Sequence, residues 1–237
     1  MNGPELQSLT PAPALHEADG KFHLLLAASG SVATIKIPNI VHALSDHPNL
    51  SIRILMTKSA KEFLQGQSHE QPHLKALLKM RNVDGIYNDD NEWAVPWIRN
   101  AKILHIELRR WADLLVVAPL SANTMAKMAA GISDNLLLSV IRAWDTSGFI
   151  DGKRKRVIVA PAMNTAMWMH PVTLKQLRIL EEEWGIGGDN DGWIEVLRPV
   201  EKTLACGDNG SGAMRPWTEI VDIIKLRIEA SSPTTLP

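Results

Sequence analysis

One stretch restricts the fold of this chain more than any other: Val157-Ile158-Val159-Ala160, followed at once by Pro161-Ala162-Met163-Asn164. The run is apolar and largely β-branched, with charge before it at 153–156 and proline after it. Without polar alternation it reads as a strand buried on both faces, the habit of parallel strands between helices. In open α/β sheets, ligands bind beyond the carboxyl ends of the strands, which is where Asn164 falls. Its amide donates and accepts hydrogen bonds at once. It also suits the cap of a helix starting at Thr165. Both readings stand on this stretch alone.

The pattern recurs. Phe22 to Ala28 is a compact apolar run that breaks into Ser29-Gly30-Ser31-Val32, then a helix with Ile35, Ile40, Val41 and Leu44 inward. Strand, glycine turn and helix set backbone N–H groups and the positive helix end against an anion. A tight turn also takes glycine for geometry alone, and neither a G-x-G-x-x-G nor a Walker spacing is present. Ser51 to Thr57 is a second strand, ended by Thr57-Lys58-Ser59. These hydroxyls can cap the short helix running to about Leu64, touch a cofactor, or do both with different atoms. Asp113 to Pro119 is a central strand, and Pro119 to Thr124 opens a helix to Ala130, stopped by Gly131. Ser121, Asn123 and Thr124 make a second polar loop past a strand end, which suggests a ligand with several polar edges.

Further helices are expected at 104–111, with Leu104, Leu108 and Trp111 on one face, and at 134–144, amphipathic. Two more fall at 172–184, with Leu174, Leu177 and Leu180 inward, and at 217–228; a short strand falls at 193–197. His105 lies beside the apolar stripe of its helix, as a hydrogen-bonded core residue or, with the right neighbours, a catalyst. Residues 66–102 carry no sustained period beyond a short helix at 74–80, and the acidic cluster Asp84, Asp89 to Glu92 reads as a solvated loop. Trp93, Trp97 and Trp193 lie outside the strand patterns and point to loops packed on core, ligand or another subunit.

Residues 1–20, with Pro4, Pro11 and Pro13, read as a disordered leader with neither a secretory nor a transit pattern; 231–237 reads as a disordered tail. Residues 21–230 form one domain. The net charge of -1 offers nothing to nucleic acid, and no apolar run approaches the roughly 20 residues that span a bilayer. The only cysteine, Cys206, excludes an intrachain disulfide and fits a reducing, cytoplasmic setting. It is followed by Gly207, Asp208, Gly210 and Gly212, so it reads either as a small buried side chain or as a thiol on a mobile lid at about 200–215. No metal constellation is visible.

Taken in order, these segments resemble the homo-oligomeric flavin-containing cysteine decarboxylases, and within them the branch that works in coenzyme A synthesis. The resemblance covers roughly 22–228. It rests on Gly30-Ser31-Val32, Leu104-His105-Ile106, Arg110-Trp111-Ala112-Asp113, and Ala118-Pro119-Leu120-Ser121-Ala122-Asn123-Thr124. It continues through Asp134-Asn135-Leu136, Pro161-Ala162-Met163-Asn164, Ala205-Cys206-Gly207-Asp208 and Gly212-Ala213-Met214. The segment 181–199 is longer than in compact members, and 66–102 matches less distinctly.

The resemblance implies a single flavodoxin-like (Rossmann-like) α/β domain, a doubly wound parallel sheet with helices on both faces. It implies bound FMN and a homotrimer with sites between subunits. FMN would touch Gly30, Ser31, Val32, Thr57, Lys58, Ser59, Ala122, Asn123, Thr124, Met125 and Ala162. Asn164, Met167, Thr203, Leu204 and Ala205 would grip the substrate, with Arg110 beside its carboxylate or a subunit contact. His105 would be the base, Cys206 the acid, and Asn164 a third catalytic group. The implied substrate is phosphopantothenoylcysteine, whose acylated nitrogen cannot form a Schiff base. Its thiol would be oxidised to a thioaldehyde, which accepts the electrons released with CO₂; the resulting enethiolate is then reduced again. Two other roles are known in the family and stay open: an inhibitory subunit of a protein phosphatase, and a peptidyl-cysteine decarboxylase.

Overall fold

Every residue of Leu50–Met56 and of Leu114–Leu120 is buried, as strands covered on both faces must be. These are β2 and β4 of a six-stranded parallel sheet, seen in a computed structural model that describes residues 19–187, 192–203 and 209–231. The other strands are β1 (Phe22–Ala28), β3 (Val83–Tyr87), β5 (Arg156–Pro161) and β6 (Ile194–Val196), and the order is β3-β2-β1-β4-β5-β6. β7 (Val200–Thr203) and β8 (Asn209–Ala213) form a separate antiparallel pair.

The side chains of β1 alternate between two cores. Leu24, Leu26 and Ala28 pack with the inner face of α1 (Ile37–Leu44) and with Ile220, Val221, Ile224 and Ile228 of α10 (Trp217–Ser231). Leu25 and Ala27 pack on the other side with α5 (Leu104–Trp111), α6 (Ala122–Ala129), α7 (Leu136–Arg142) and α9 (Pro171–Arg178). The short helices α2 (Lys58–Lys61), α3 (Leu74–Leu77), α4 (Asp89–Glu92) and α8 (Thr165–Trp168) sit in the connections. Each fully buried Leu or Ile contributes roughly 1.5–3 kcal/mol by removal from water. Helices on both faces of a parallel sheet define the doubly wound class. The strand order reverses between β1 and β4, so the crevice at their carboxyl ends is the topological switch point.

The structure departs from the sequence reading in several places. Residues 66–102 contain β3, an edge strand whose internal Asp84 and Gly85 hide its pattern. The α1 face uses Ile37 in place of Ile35, because a 3-10 turn at Val32–Lys36 precedes the helix and shifts its phase. α7 is shorter than 134–144 and is not amphipathic, since Leu136, Leu137, Leu138, Val140 and Ile141 are all buried. In α9 Leu174 points outward while Thr173 and Leu177 turn inward; a π-helical turn at Ile179–Glu183 then brings Leu180 in. α10 runs on to Ser231. Trp193 stacks on Trp184 with ring centroids 5.4 Å apart and joins the second core. Gly210 and Gly212 lie in β8 and not in an irregular loop. The leader at 1–18, the glycine-rich 188–191 and the tail from 232 lie outside the described residues.

Candidate functional site at the switch point

The crevice is built from loops that leave β1, β2, β4 and β5, and hydroxyl groups tie them together. The backbone N–H and Oγ of Ser29 donate to Pro119 O at 3.0 and 3.1 Å. Ser29 Oγ in turn accepts from Ser121 N at 2.7 Å, and Thr34 Oγ1 donates to Ser29 O at 3.2 Å. This joins the loops on the two sides of the strand reversal. Ser121 caps α6 by accepting from Thr124 N at 3.3 Å, and Thr57 caps α2 by accepting from Ala60 N at 3.3 Å. Ala162 N donates to Leu120 O at 3.0 Å, bringing the fourth loop alongside.

Of the eleven residues that the family resemblance assigns to a cofactor, Val32, Lys58, Ser59 and Asn123 are exposed along this shelf, and Gly30, Ser31 and Ala122 are partly so. Thr57, Thr124, Met125 and Ala162 are buried behind it. A Cβ on Gly30 would lie 2.4 Å from Ser59 Oγ, so the β1 turn approaches the β2 loop this closely only as glycine. Backbone N–H groups, hydroxyls and the Lys58 ammonium beside small apolar residues fit a planar ring carrying a phosphate tail.

Asn164 proves to be the cap of α8, its Oδ1 accepting from Met167 N at 2.9 Å. That bond uses the oxygen only. The residue is exposed, and among the described residues Nδ2 has no hydrogen bond, so capping holds the amide in place and leaves it able to donate to a ligand. Beside it, the β7–β8 pair is fastened to the end of β5. Met163 N donates to Gly212 O at 3.0 Å. A Cβ on Gly212 would meet Met163 O at 2.5 Å, and one on Gly210 would meet Thr165 Oγ1 at 1.9 Å. Gly212 also takes φ +131, which favours glycine. Gly210 and Gly212 therefore serve close packing against the Asn164 loop. Thr203 ends β7, while Leu204, Ala205 and Cys206 lie outside the described residues. Met167 is exposed on α8.

His105 lies elsewhere in the chain, in the first turn of α5, and among the described residues no hydrogen bond joins it to the shelf. Its Nδ1 is 2.8 Å from Glu92 Oε1. The acidic cluster is thus only in part solvated: Asp84 and Asp90 are exposed, whereas Glu92 and Asp89 are engaged. The Glu92 side chain is 6% exposed, and Asp89 Oδ1 accepts from Leu136 N, at the start of α7, at 2.8 Å. No sequence signal marked Glu92, since a glutamate in an acidic run looks solvated whatever it touches. Arg110 is half-exposed and pairs with Glu107 of its own helix at 3.3 Å. Arg109 is buried and pairs with Asp151 at 2.8 Å. Lys155 Nζ donates to the carbonyls of Arg109 and Arg110 at 3.1 and 3.0 Å, closing the α5 carboxyl end. Burial pushes the Lys155 ammonium below its usual pKa, and Asp151 works against that push.

A doubly wound sheet with a polar, glycine-turned shelf at its switch point is the architecture in which open α/β proteins bind ligands. The chain belongs to the Flavoprotein family, whose profile matches residues 13–229. It is 40% identical to the phosphopantothenoylcysteine decarboxylase of Mus musculus over 217 residues, covering 91% of this chain and 92% of that protein. It is 42% identical to coenzyme A biosynthesis protein 3 of Saccharomyces cerevisiae over 222 residues, covering 90% of this chain and 34% of that protein. The chain spans about a third of the length of such fungal relatives. Among solved structures, a cysteine-to-serine mutant of PPC decarboxylase complexed with pantothenoylaminoethenethiol superposes with a TM-score of 0.71 at 41% identity, covering 88% of this chain and 99% of that one. The FMN binding protein AtHal3 gives 0.69 at 41% identity, covering 89% and 98%.

Proposed function

We propose that this chain binds FMN and decarboxylates phosphopantothenoylcysteine to phosphopantetheine in coenzyme A synthesis, as a cytoplasmic homotrimer with sites between subunits. The observation that carries this reading is the four-loop shelf with the exposed, capping Asn164 at its edge. The identity of about 40% to the mouse decarboxylase over nearly the whole of both chains supports the substrate. No helix of the described residues is long and apolar enough to cross a membrane. Trp93, Val95, Trp97 and Ile98 are 55–75% exposed in one short segment next to the His105 helix. A contiguous apolar patch of this kind marks an interaction surface. With no hydrogen bond from His105 to the shelf among the described residues, that patch supports assembly in which neighbouring subunits share sites.

In this reading Gly30, Ser31, Val32, Thr57, Lys58, Ser59, Ala122, Asn123, Thr124, Met125 and Ala162 hold FMN. When bound, FMN supplies the reversible two-electron oxidation of the substrate thiol that creates an electron sink for decarboxylation. Asn164 Nδ2 donates to the substrate and fixes it. Met167 and the β7–β8 segment, with Thr203, Leu204 and Ala205, cover it and keep water out. Arg110, half-exposed, is available to a carboxylate or a neighbouring subunit. His105 Nε2 takes the thiol proton, and Cys206 returns a proton to carbon after CO₂ leaves.

The test is CO₂ release from phosphopantothenoylcysteine by the purified protein, with its visible spectrum recorded alongside. A flavin spectrum with turnover is expected. Flavin without turnover would sink the decarboxylase and move the weight to a phosphatase-regulating subunit; failure to bind FMN would sink both. His105→Asn should keep the flavin spectrum and lose CO₂ release.

A further inference from the structure

We propose that Glu92 is the positioning residue of His105: its buried carboxylate holds the proton on Nδ1 and turns Nε2 outward as the proton acceptor. This rests on the reading of His105 as the base. A carboxylate has no proton to give, so the 2.8 Å contact requires an N–H on Nδ1. In the neutral ring that leaves the lone pair on Nε2. The His105 side chain is 25% exposed against 6% for Glu92, so the carboxylate that meets the ring is buried while the ring itself is partly open.

The helix that carries Glu92 is shaped for this contact. α4 is four residues long and carries no apolar side chain, so apolar packing does not hold it. Polar contacts do. Asn88 Oδ1 accepts from Asp90 N and Asn91 Oδ1 accepts from Asn88 N, both at 2.8 Å, closing a capping box. Asp89 ties the helix to α7, and Asp90 pairs with Lys61 at 3.1 Å. Of this acidic run only Glu92 bonds to α5. Its second oxygen, Oε2, is buried without a hydrogen-bond partner among the described residues. An orphaned buried carboxylate oxygen costs stability. A merely structural contact would gain from a neutral residue there, whereas a carboxylate, which only accepts, fixes the tautomer that a side-chain amide would leave open.

The experiment reads the imidazole nitrogen chemical shifts of His105 in FMN-loaded protein, assigned against His105→Asn, together with kcat and KM. The wild type is expected to carry its proton on Nδ1. Glu92→Gln can accept from one tautomer or donate to the other, so it should populate the Nε2–H form. Its kcat should then fall on the order of 10- to 100-fold with KM little changed, within what a general base supplies. Glu92→Asp, which keeps the charge, should restore the Nδ1–H form and part of kcat. A bare Nδ1 in the wild type, or a Glu92→Gln protein with unchanged tautomer and kcat, would overturn the proposal. If Glu92→Gln fails to fold, the wild-type tautomer and Glu92→Asp decide it. If the wild type binds FMN yet releases no CO₂, the decarboxylase reading fails, while the shifts still report whether Glu92 sets the tautomer.

Discussion

The two ends of α5 are built in opposite ways. At the carboxyl end Arg109, Asp151 and Lys155 form an ion cluster whose side chains are 4–9% exposed, and Lys155 closes the last carbonyls of the helix. Trp111 packs there against His23 and under the Arg53 guanidinium, 4.1 Å from its ring. At the amino end a half-buried imidazole rests on one carboxylate from a four-residue helix, and the chain before it exposes tryptophan. One end fixes the helix against the sheet. In the proposed function the other presents the imidazole that takes up a proton, and its side chain is 25% exposed. On that reading strength and chemistry are separated by two turns of the same helix.

The largest effect is expected from breaking the strong end. Asp151→Asn keeps the shape and removes the charge, leaving Arg109 and Lys155 as buried cations with no counter-ion in the cluster. Losing one partner of a buried ion pair costs about 3–5 kcal/mol. Urea unfolding should show that loss, and Arg109→Met in the same chain should recover part of it. A loss below about 1 kcal/mol would mean that the cluster is solvated and the contrast between the ends is false.

Next comes Asp113, just past the helix. Burial alone would raise its pKa, but hydrogen bonds from the His23 ring and backbone and from Lys153 outweigh this and hold the carboxyl well below the usual range. A carboxyl depressed in the folded state stabilises it above the unfolded pKa of about 3.9, and the benefit drains away as pH falls through the folded value. Asp113→Asn should therefore cost about 1.5–3 kcal/mol at neutral pH and little in strong acid. A stability-versus-pH curve that stays parallel to the wild type below pH ~4 would remove Asp113 from the anchor.

The same contrast explains what could be read from sequence. β1, β2, β4 and β5 were legible because a strand buried on both faces must be apolar throughout, and the loops after them were legible because hydroxyls and glycine interrupt that pattern abruptly. α5 was legible through Leu108 and Trp111. β3 was not, since an edge strand tolerates Asp84 and Gly85. Glu92 was not, since its partner lies 13 residues away on another element and it follows the exposed Asp90 in the same acidic run. Leu174 misled because exposed leucines are ordinary on protein surfaces. Asn164 was ambiguous in sequence and remains double in structure, a cap by its oxygen and, among the described residues, an unbonded donor by its nitrogen.

The smallest effect on the fold is expected from Trp93→Ala, which is also the sharpest test of the weak end. Trp93 is 75% exposed, and truncating an exposed side chain changes the stability of a chain by less than about 0.5 kcal/mol. If the apolar segment 93–98 is where subunits meet, the same substitution should lower the mass seen by sedimentation at dilute protein, because assembly responds to concentration. Glu92 and Trp93 are adjacent, one turned in to His105 and the other turned out. Dissociation by Trp93→Ala should therefore leave the His105–Glu92 bond and its tautomer unchanged while CO₂ release falls with the loss of shared sites. An unchanged mass with full turnover would place the subunit contact elsewhere and leave the exposed tryptophan without a role in assembly.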